Sequence, residues 1–153
     1  MDEPDGYLIY LIKQVELGVR RPFEDRLARA GIGTPAYTAL TVLQRRPGIT
    51  SSELARRSFV RAQTMAETVN VLLDAGLVRR EKDPAHGRQM LLFITAEGDA
   101  RVAALRHDVR DLDAVMASAL TAEQRDQLIH HLRACRDALA RLAEEDRVSN
   151  GAA

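Results

Sequence analysis

The side chains with the most recognition chemistry lie mid-chain. Gln63, Thr64, Glu67 and Asn70 share one short stretch, with Arg61 just ahead of them. Gln can bond adenine bidentately, Glu can accept from cytosine N4, and Thr can bond base edges or touch a thymine methyl. Stepped at 100° per residue, Ala62, Met65, Val69, Leu72 and Leu73 cluster on one side, and Gln63, Thr64, Glu67, Asn70 and Val71 lie opposite. The pattern predicts a helix that packs by one face and offers a polar face, with Arg61 at its entrance. An ordinary surface helix shows the same pattern, so it does not decide the function alone.

A second group follows. Arg79, Arg80, Lys82 and Arg88 lie in "GLVRREKDPAHGRQMLLFIT", Gly76 to Thr95. Residues 77–82 and 89–95 read as two strands joined by "DPAHG". A two-stranded wing after such a helix lies along a DNA backbone. Arg suits a narrow minor groove, where the negative potential is enhanced. The basic residues are then phosphate or minor-groove contacts. Asp83, His86 and Gly87 would support the tip, with Asp83 salt-bridged inside the wing and holding Arg88.

The surrounding elements must position these groups. Residues 7–30 carry Leu8, Ile12, Val15 and Val19 on one helical face, and Pro22 is expected to kink or interrupt the run. "TPAYTALTVLQRRPG" starts a helix with Thr34 as N-cap and Pro35 at its first position. Thr50 and Glu53 form a capping box ahead of a short helix, and "SFVR" is the turn after it. Gly76 closes the next helix. After the hairpin, Thr95 caps a helix with a seam through Val102, Leu105, Val109, Leu112 and Met116. Thr121 and Gln124 form a second capping box, and Leu128, Leu132, Cys135, Leu139 and Leu142 make the last seam.

Charge is balanced overall, with 22 basic and 22 acidic residues, but unevenly spread. Residues 45–95 hold nine basic against five acidic side chains, a net +4, while 1–44 carry −1 and 96–153 carry −3. A local basic patch is the footprint of a nucleic-acid binder. Cys135 is the single cysteine, so no internal disulfide is expected. No signal peptide or membrane span is read, which points to the cytoplasm.

At this point the residues resemble the MarR family of bacterial winged-helix regulators. The matching pieces are "ITSSELARRS", "QTM…VNVLLDAGLVRREKDPAHGRQMLLFITAEG" and "LTAEQRDQL". The resemblance implies a mainly α fold with a small β-hairpin wing: a winged helix-turn-helix flanked by long N- and C-terminal dimerisation helices. Residues 50–58 match the supporting helix and 61–75 the recognition helix. Arg88 matches the wing arginine and Asp83 the wing aspartate. The chain departs from the family where Gly then Val-Ser-Pro is frequent and "FVRA" stands here. Arg61 replaces the usual capping Ser, and Glu67 stands where Arg is frequent. Glu67 should shift sequence preference and lower nonspecific affinity.

The domain reading is a single unit over 1–153. Residues 1–33 and 96–147 are dimerisation helices, 34–95 the DNA-binding lobe and 148–153 a tail. Three–four seams on long helices call for a partner, and a homodimer suits a two-fold operator. The resemblance also implies a small aromatic or phenolic effector, for which Tyr7, Tyr10, Phe23, Tyr37 and His107 are candidates. Redox sensing finds no N-terminal cysteine, and a metal at His130, His131 and Cys135 lacks a third convincing ligand. No cofactor is expected. Enzyme signatures such as Gly-x-Ser-x-Gly or a phosphate loop are absent from the sequence. The rival function is a winged-helix interaction module without DNA binding.

Overall fold

The structure, a computed structural model, describes residues 6–151. Its elements are α1 (Tyr7–Arg29), α2 (Thr34–Arg45), α3 (Ser51–Arg57), α4 (Ala62–Asp74), β1 (Val78–Lys82), β2 (Met90–Ile94), α5 (Ala96–Asp108), α6 (Arg110–Ala117) and α7 (Ala122–Gly151). The chain divides into two compact units, Met1–Leu112 and Asp113–Ala153.

The first unit is built on a small apolar core. Leu40 and Leu43 of α2, Leu54 of α3, Met65, Val69 and Leu72 of α4, Leu92 of β2 and Val102 of α5 are fully or almost fully buried. They come from five elements, so the supporting helix, the recognition helix and the hairpin share one interior. Each large aliphatic side chain there contributes roughly 1.5–3 kcal/mol of transfer free energy.

Local chemistry sets the element ends. Thr50 Oγ1 accepts from Glu53 N–H at 3.2 Å and starts α3. The return half of that capping box is missing, because the Glu53 carboxylate is paired with Arg56 and Arg57. At α7 the box is complete: Gln124 N–H donates to Thr121 Oγ1 at 3.2 Å, and Thr121 N–H donates to Gln124 Oε1 at 2.9 Å. Helix α4 ends as expected. Gly76 adopts φ 71°, its N–H donates to Leu73 O, and Leu77 N–H donates to Leu72 O. These two hydrogen bonds satisfy orphan carbonyls that helices otherwise leave open.

Four expectations need correction. Helix α1 is not interrupted at Pro22, which lies inside it. A proline ring meets the carbonyl four residues earlier, here that of Gly18, and removes one backbone donor; the Pro22 carbonyl itself accepts from the Arg26 guanidinium at 2.9 Å. Helix α2 is capped by Gly33 in extended backbone, so Thr34 is its first residue. The seam from Val102 to Met116 belongs to two helices. It breaks at Val109, where Leu112 N–H bonds Val109 O, a tighter three-residue turn. The segment expected as a tail continues α7 to Gly151, and residues 152–153 lie outside the described residues.

The hairpin is antiparallel, with Val78 opposite Ile94, Arg80 opposite Leu92 and Lys82 opposite Met90. A third short segment joins it. Ile49 bridges to Leu92, through Leu92 N–H to Ile49 O at 2.8 Å and Gly48 N–H to Leu92 O at 2.9 Å. The wing base is thereby stitched to the loop between α2 and α3.

Candidate nucleic-acid interface

Helix α4 faces as its periodicity predicts. Met65, Val69 and Leu72 are buried, while Gln63, Thr64, Glu67, Asn70 and Val71 are exposed. Ala62, expected on the packed side, is exposed because it sits in the first turn, ahead of the core contacts. Arg61 holds the N-cap position with φ −62° and ψ 144° and supplies no capping bond. The positive end of the helix is therefore open. Along the exposed face, Gln63 Nε2 donates to Glu67 Oε1 at 3.0 Å.

The turn ahead of α4 carries a feature the sequence reading did not foresee. Phe59 adopts φ 52° and its side chain is 63% exposed. A bulky residue in the left-handed region costs roughly 1–2 kcal/mol. The departure from glycine in "FVRA" is the signal that marks the place. Ser58 Oγ, one residue earlier, is buried without a partner among the described residues. Val71 was also passed over as a site residue. It is 64% exposed on the polar face of α4, an apolar group suited to a thymine methyl.

In the wing the four cations divide into two kinds. Arg79 is ion-paired with Glu81, and its guanidinium lies 4.7 Å from the centroid of the Phe93 ring. Arg80 donates to Asn70 Oδ1 at 2.9 Å, tying β1 to the recognition helix. Lys82 and Arg88 are exposed, and neither has a hydrogen-bond or ion-pair partner among the described residues. Both carry a full positive charge into solvent at the wing. Asp83 does not hold Arg88. Its carboxylate accepts from Ala85 N–H at 2.8 Å and lies 3.6 Å from His86 Nδ1. Two further bonds, Asp83 N–H to Gln89 O and Gln89 N–H to His86 O, close the tip. Asp83 is captured by its nearest neighbours in the turn, and Gly87 stands in open space.

The wing and α4 are also clasped at their base. Thr95 Oγ1 donates to Gly76 O at 2.7 Å and accepts from Gly98 N–H at 3.1 Å, while Thr95 N–H donates to Leu77 O. One threonine thus joins the end of α4 to the start of α5. Gly98 is fitted tightly there: a Cβ would lie 2.2 Å from Leu77 O and 2.7 Å from Ile94 Cγ1.

Beneath the interface, Glu53 steadies α3. The Arg56 guanidinium beside it holds its carboxyl below the usual range, against a smaller opposing effect of partial burial. At the other end of the unit Arg26 forks onto Asp111 at 3.0 and 2.7 Å, and this pairing lowers the Asp111 carboxyl.

The five effector candidates do not converge. Phe23 and Tyr37 pack edge to face at 5.5 Å, joining α1 to α2. Tyr7 and Tyr10 form a separate pair at 6.4 Å on the first turns of α1. His107 is exposed in the last turn of α5. Cys135, expected as a buried residue of the seam, is partly buried. No group of three or more metal-ligating side chains occurs among the described residues. Nor is any described helix long and apolar enough to cross a membrane.

A buried helix pair that presents a polar second helix, followed by a hairpin with unpaired cations, defines a winged helix-turn-helix of the DNA-binding type. Comparison with known proteins gives the family. A family model described as "MarR family" matches residues 30–89. The HTH-type transcriptional repressor Rv2887 of Mycobacterium tuberculosis is 35% identical over 123 residues, covering 80% of this chain and 86% of that protein. The crystal structure of Rv2887 in complex with DNA superposes with a TM-score of 0.65 at 32% identity, over 88% of this chain and 98% of that one. The complex of Rv2887 with salicylic acid gives 0.66 at 33%, over 88% and 97%. The chain belongs to the MarR family of winged helix-turn-helix transcriptional regulators.

Proposed function

We propose that this chain is a repressor that binds a palindromic operator as a homodimer and is released by a small aromatic ligand. The observation that carries the reading is the pairing of an exposed polar α4 face with two unpaired wing cations, Lys82 and Arg88. Helix α4 enters the major groove and the wing reaches the minor groove. Dimerisation is supported by apolar side chains left in water on both terminal helices. Leu8, Ile9, Ile12 and Val15 are exposed on α1, and Leu128, Leu132, Leu139 and Leu142 on α7. Surface of that kind calls for cover. A two-fold dimer sets its two recognition helices about 34–36 Å apart, one helical turn of DNA. Ligand release is supported by the relative solved with salicylic acid. A ligand that prefers the DNA-incompetent arrangement shifts the population away from DNA.

The test is fluorescence anisotropy on the DNA flanking its own gene, across a salt series, with Arg88→Ala alongside. The expected result is a specific site preferred over scrambled DNA, with log affinity falling steeply in log salt. Arg88→Ala should bind several-fold more weakly and lower the salt slope by about one. Binding no tighter than to scrambled DNA, unchanged in Arg88→Ala, would overturn the reading.

A further inference from the structure

We infer that Gln63 and Glu67 act as one reading unit, which selects adenine and cytosine within two base-pair steps and rejects guanine and thymine opposite Glu67. This rests on the DNA-binding reading above and adds a base preference to it. The observation is the bond from Gln63 Nε2 to Glu67 Oε1 at 3.0 Å between two exposed side chains at i, i+4. That bond uses one of the two amide hydrogens of Gln63 and one of the two oxygens of Glu67. What remains for a base is defined by subtraction. Gln63 keeps Oε1 and one N–H, and Glu67 keeps Oε2; none of these has a partner among the described residues.

The bond also settles which way the Gln63 amide lies. A free glutamine can turn over and present donor or acceptor first. Here the carboxylate accepts only, so it holds the NH2 end toward itself. The remaining pair, one acceptor and one donor, matches adenine N6–H and N7. Glu67 Oε2 can only accept, so it requires a donor; cytosine N4 supplies one alone, whereas the adenine N6 donor comes with the N7 acceptor beside it, which would face the same negative charge. Guanine O6 and N7 and thymine O4 are acceptors and would face a negative oxygen. Four residues of helix rise about 6 Å, so the two contacts fall within roughly two base-pair steps. No cation offsets Glu67 on its own helix. Arg61, at the N-cap, has no partner among the described residues, and Arg80 is held by Asn70. Glu67 is thus both a base contact and a positioning residue for Gln63.

The experiment is selection from a library of duplexes with randomised half-sites, using the full-length wild type, Gln63→Ala, Glu67→Ala and Glu67→Gln. Both positions are exposed, and circular dichroism checks that each of the three variants folds. The wild type should enrich an adenine and a cytosine within two steps, each preferred by roughly ten- to a hundredfold. Gln63→Ala should flatten the adenine position and leave cytosine sharp. Glu67→Ala should flatten both, because the amide is no longer held. Glu67→Gln should admit guanine or thymine where cytosine was required. A sharp adenine position in Glu67→Ala, or a wild-type site lacking the pair, overturns the inference while DNA binding stands. A wild type that enriches no sequence overturns the regulator reading and this inference with it.

Discussion

The winged lobe and the terminal helices solve the same problem in opposite ways. In the lobe, short elements from Thr34 to Ile94 bury Leu40, Leu43, Leu54, Met65, Leu72 and Leu92 against one another. In α7, a helix more than twice as long as α4, Leu128, Leu132, Leu139 and Leu142 all remain in water. A short element needs neighbours in its own chain, because few residues cannot hold a helix in water. A long amphipathic helix can leave its apolar stripe for another chain. The lobe is therefore expected to carry stability independent of concentration, and the terminal helices stability that rises with it.

Breaking the second half of that contrast should give the largest effect. The double variant Leu132→Asp, Leu139→Asp places charges on the seam of each copy. Burying them unpaired costs several kcal/mol, at least about 5 for the pair. Sedimentation should show a monomer at micromolar concentration where the wild type is a dimer. A dimer of unchanged affinity would mean that α7 does not form the interface. Next in size is Gly98→Ala, which attacks the lobe. Its Cβ would meet the Leu77 carbonyl at 2.2 Å, backbone that cannot swing aside. Denaturant unfolding should register a loss of about 3 kcal/mol at every protein concentration. If the loss shrinks on raising the concentration, the two regions are less separate than they look.

A smaller effect is expected from acid. The Glu53 carboxyl is held below its ordinary value, 4.5, by Arg56. A depressed folded value adds stability above the unfolded value, and that stability is lost as pH falls through the folded value. The pair is partly exposed, so the loss below about pH 4.5 should not exceed about 1 kcal/mol. In Glu53→Gln that share of the acid sensitivity should vanish from melting curves taken between pH 3 and 6. The smallest effect is Phe59→Gly. Glycine removes the left-handed strain at φ 52° but adds freedom to the unfolded chain. A net gain of about 0.5 kcal/mol should appear as a slightly higher Tm, and a lower Tm would show that the exposed ring has a structural use.

The sequence reading succeeded where one residue decides one feature. Thr50, Thr121 and Gly76 end or begin helices as expected, and the 100° steps sorted α4 into its buried and exposed faces. It fell short where several partners compete. Asp83 was assigned to Arg88, but Ala85 N–H and His86 are nearer along the chain and the tight turn delivers them first. Nothing in the spacing says that Arg79 pairs with Glu81 and lies over Phe93 in the free chain. The aromatic candidates share a residue type but not a place, since nothing in spacing says that Phe23 meets Tyr37 while Tyr7 meets Tyr10. The bridge from Ile49 to Leu92 is not legible in the sequence, because a single bridged pair leaves no periodicity.

The threonine between β2 and α5 has a mechanical meaning. Thr95 grips the last carbonyl beyond α4 with its hydroxyl and the first turn of α5 with the same oxygen. Gly98 lets the two backbones meet without a spacer. The joint is a weld rather than a hinge. With the two helix ends held on one oxygen, a change in the direction of α5 is expected to carry the end of α4 with it.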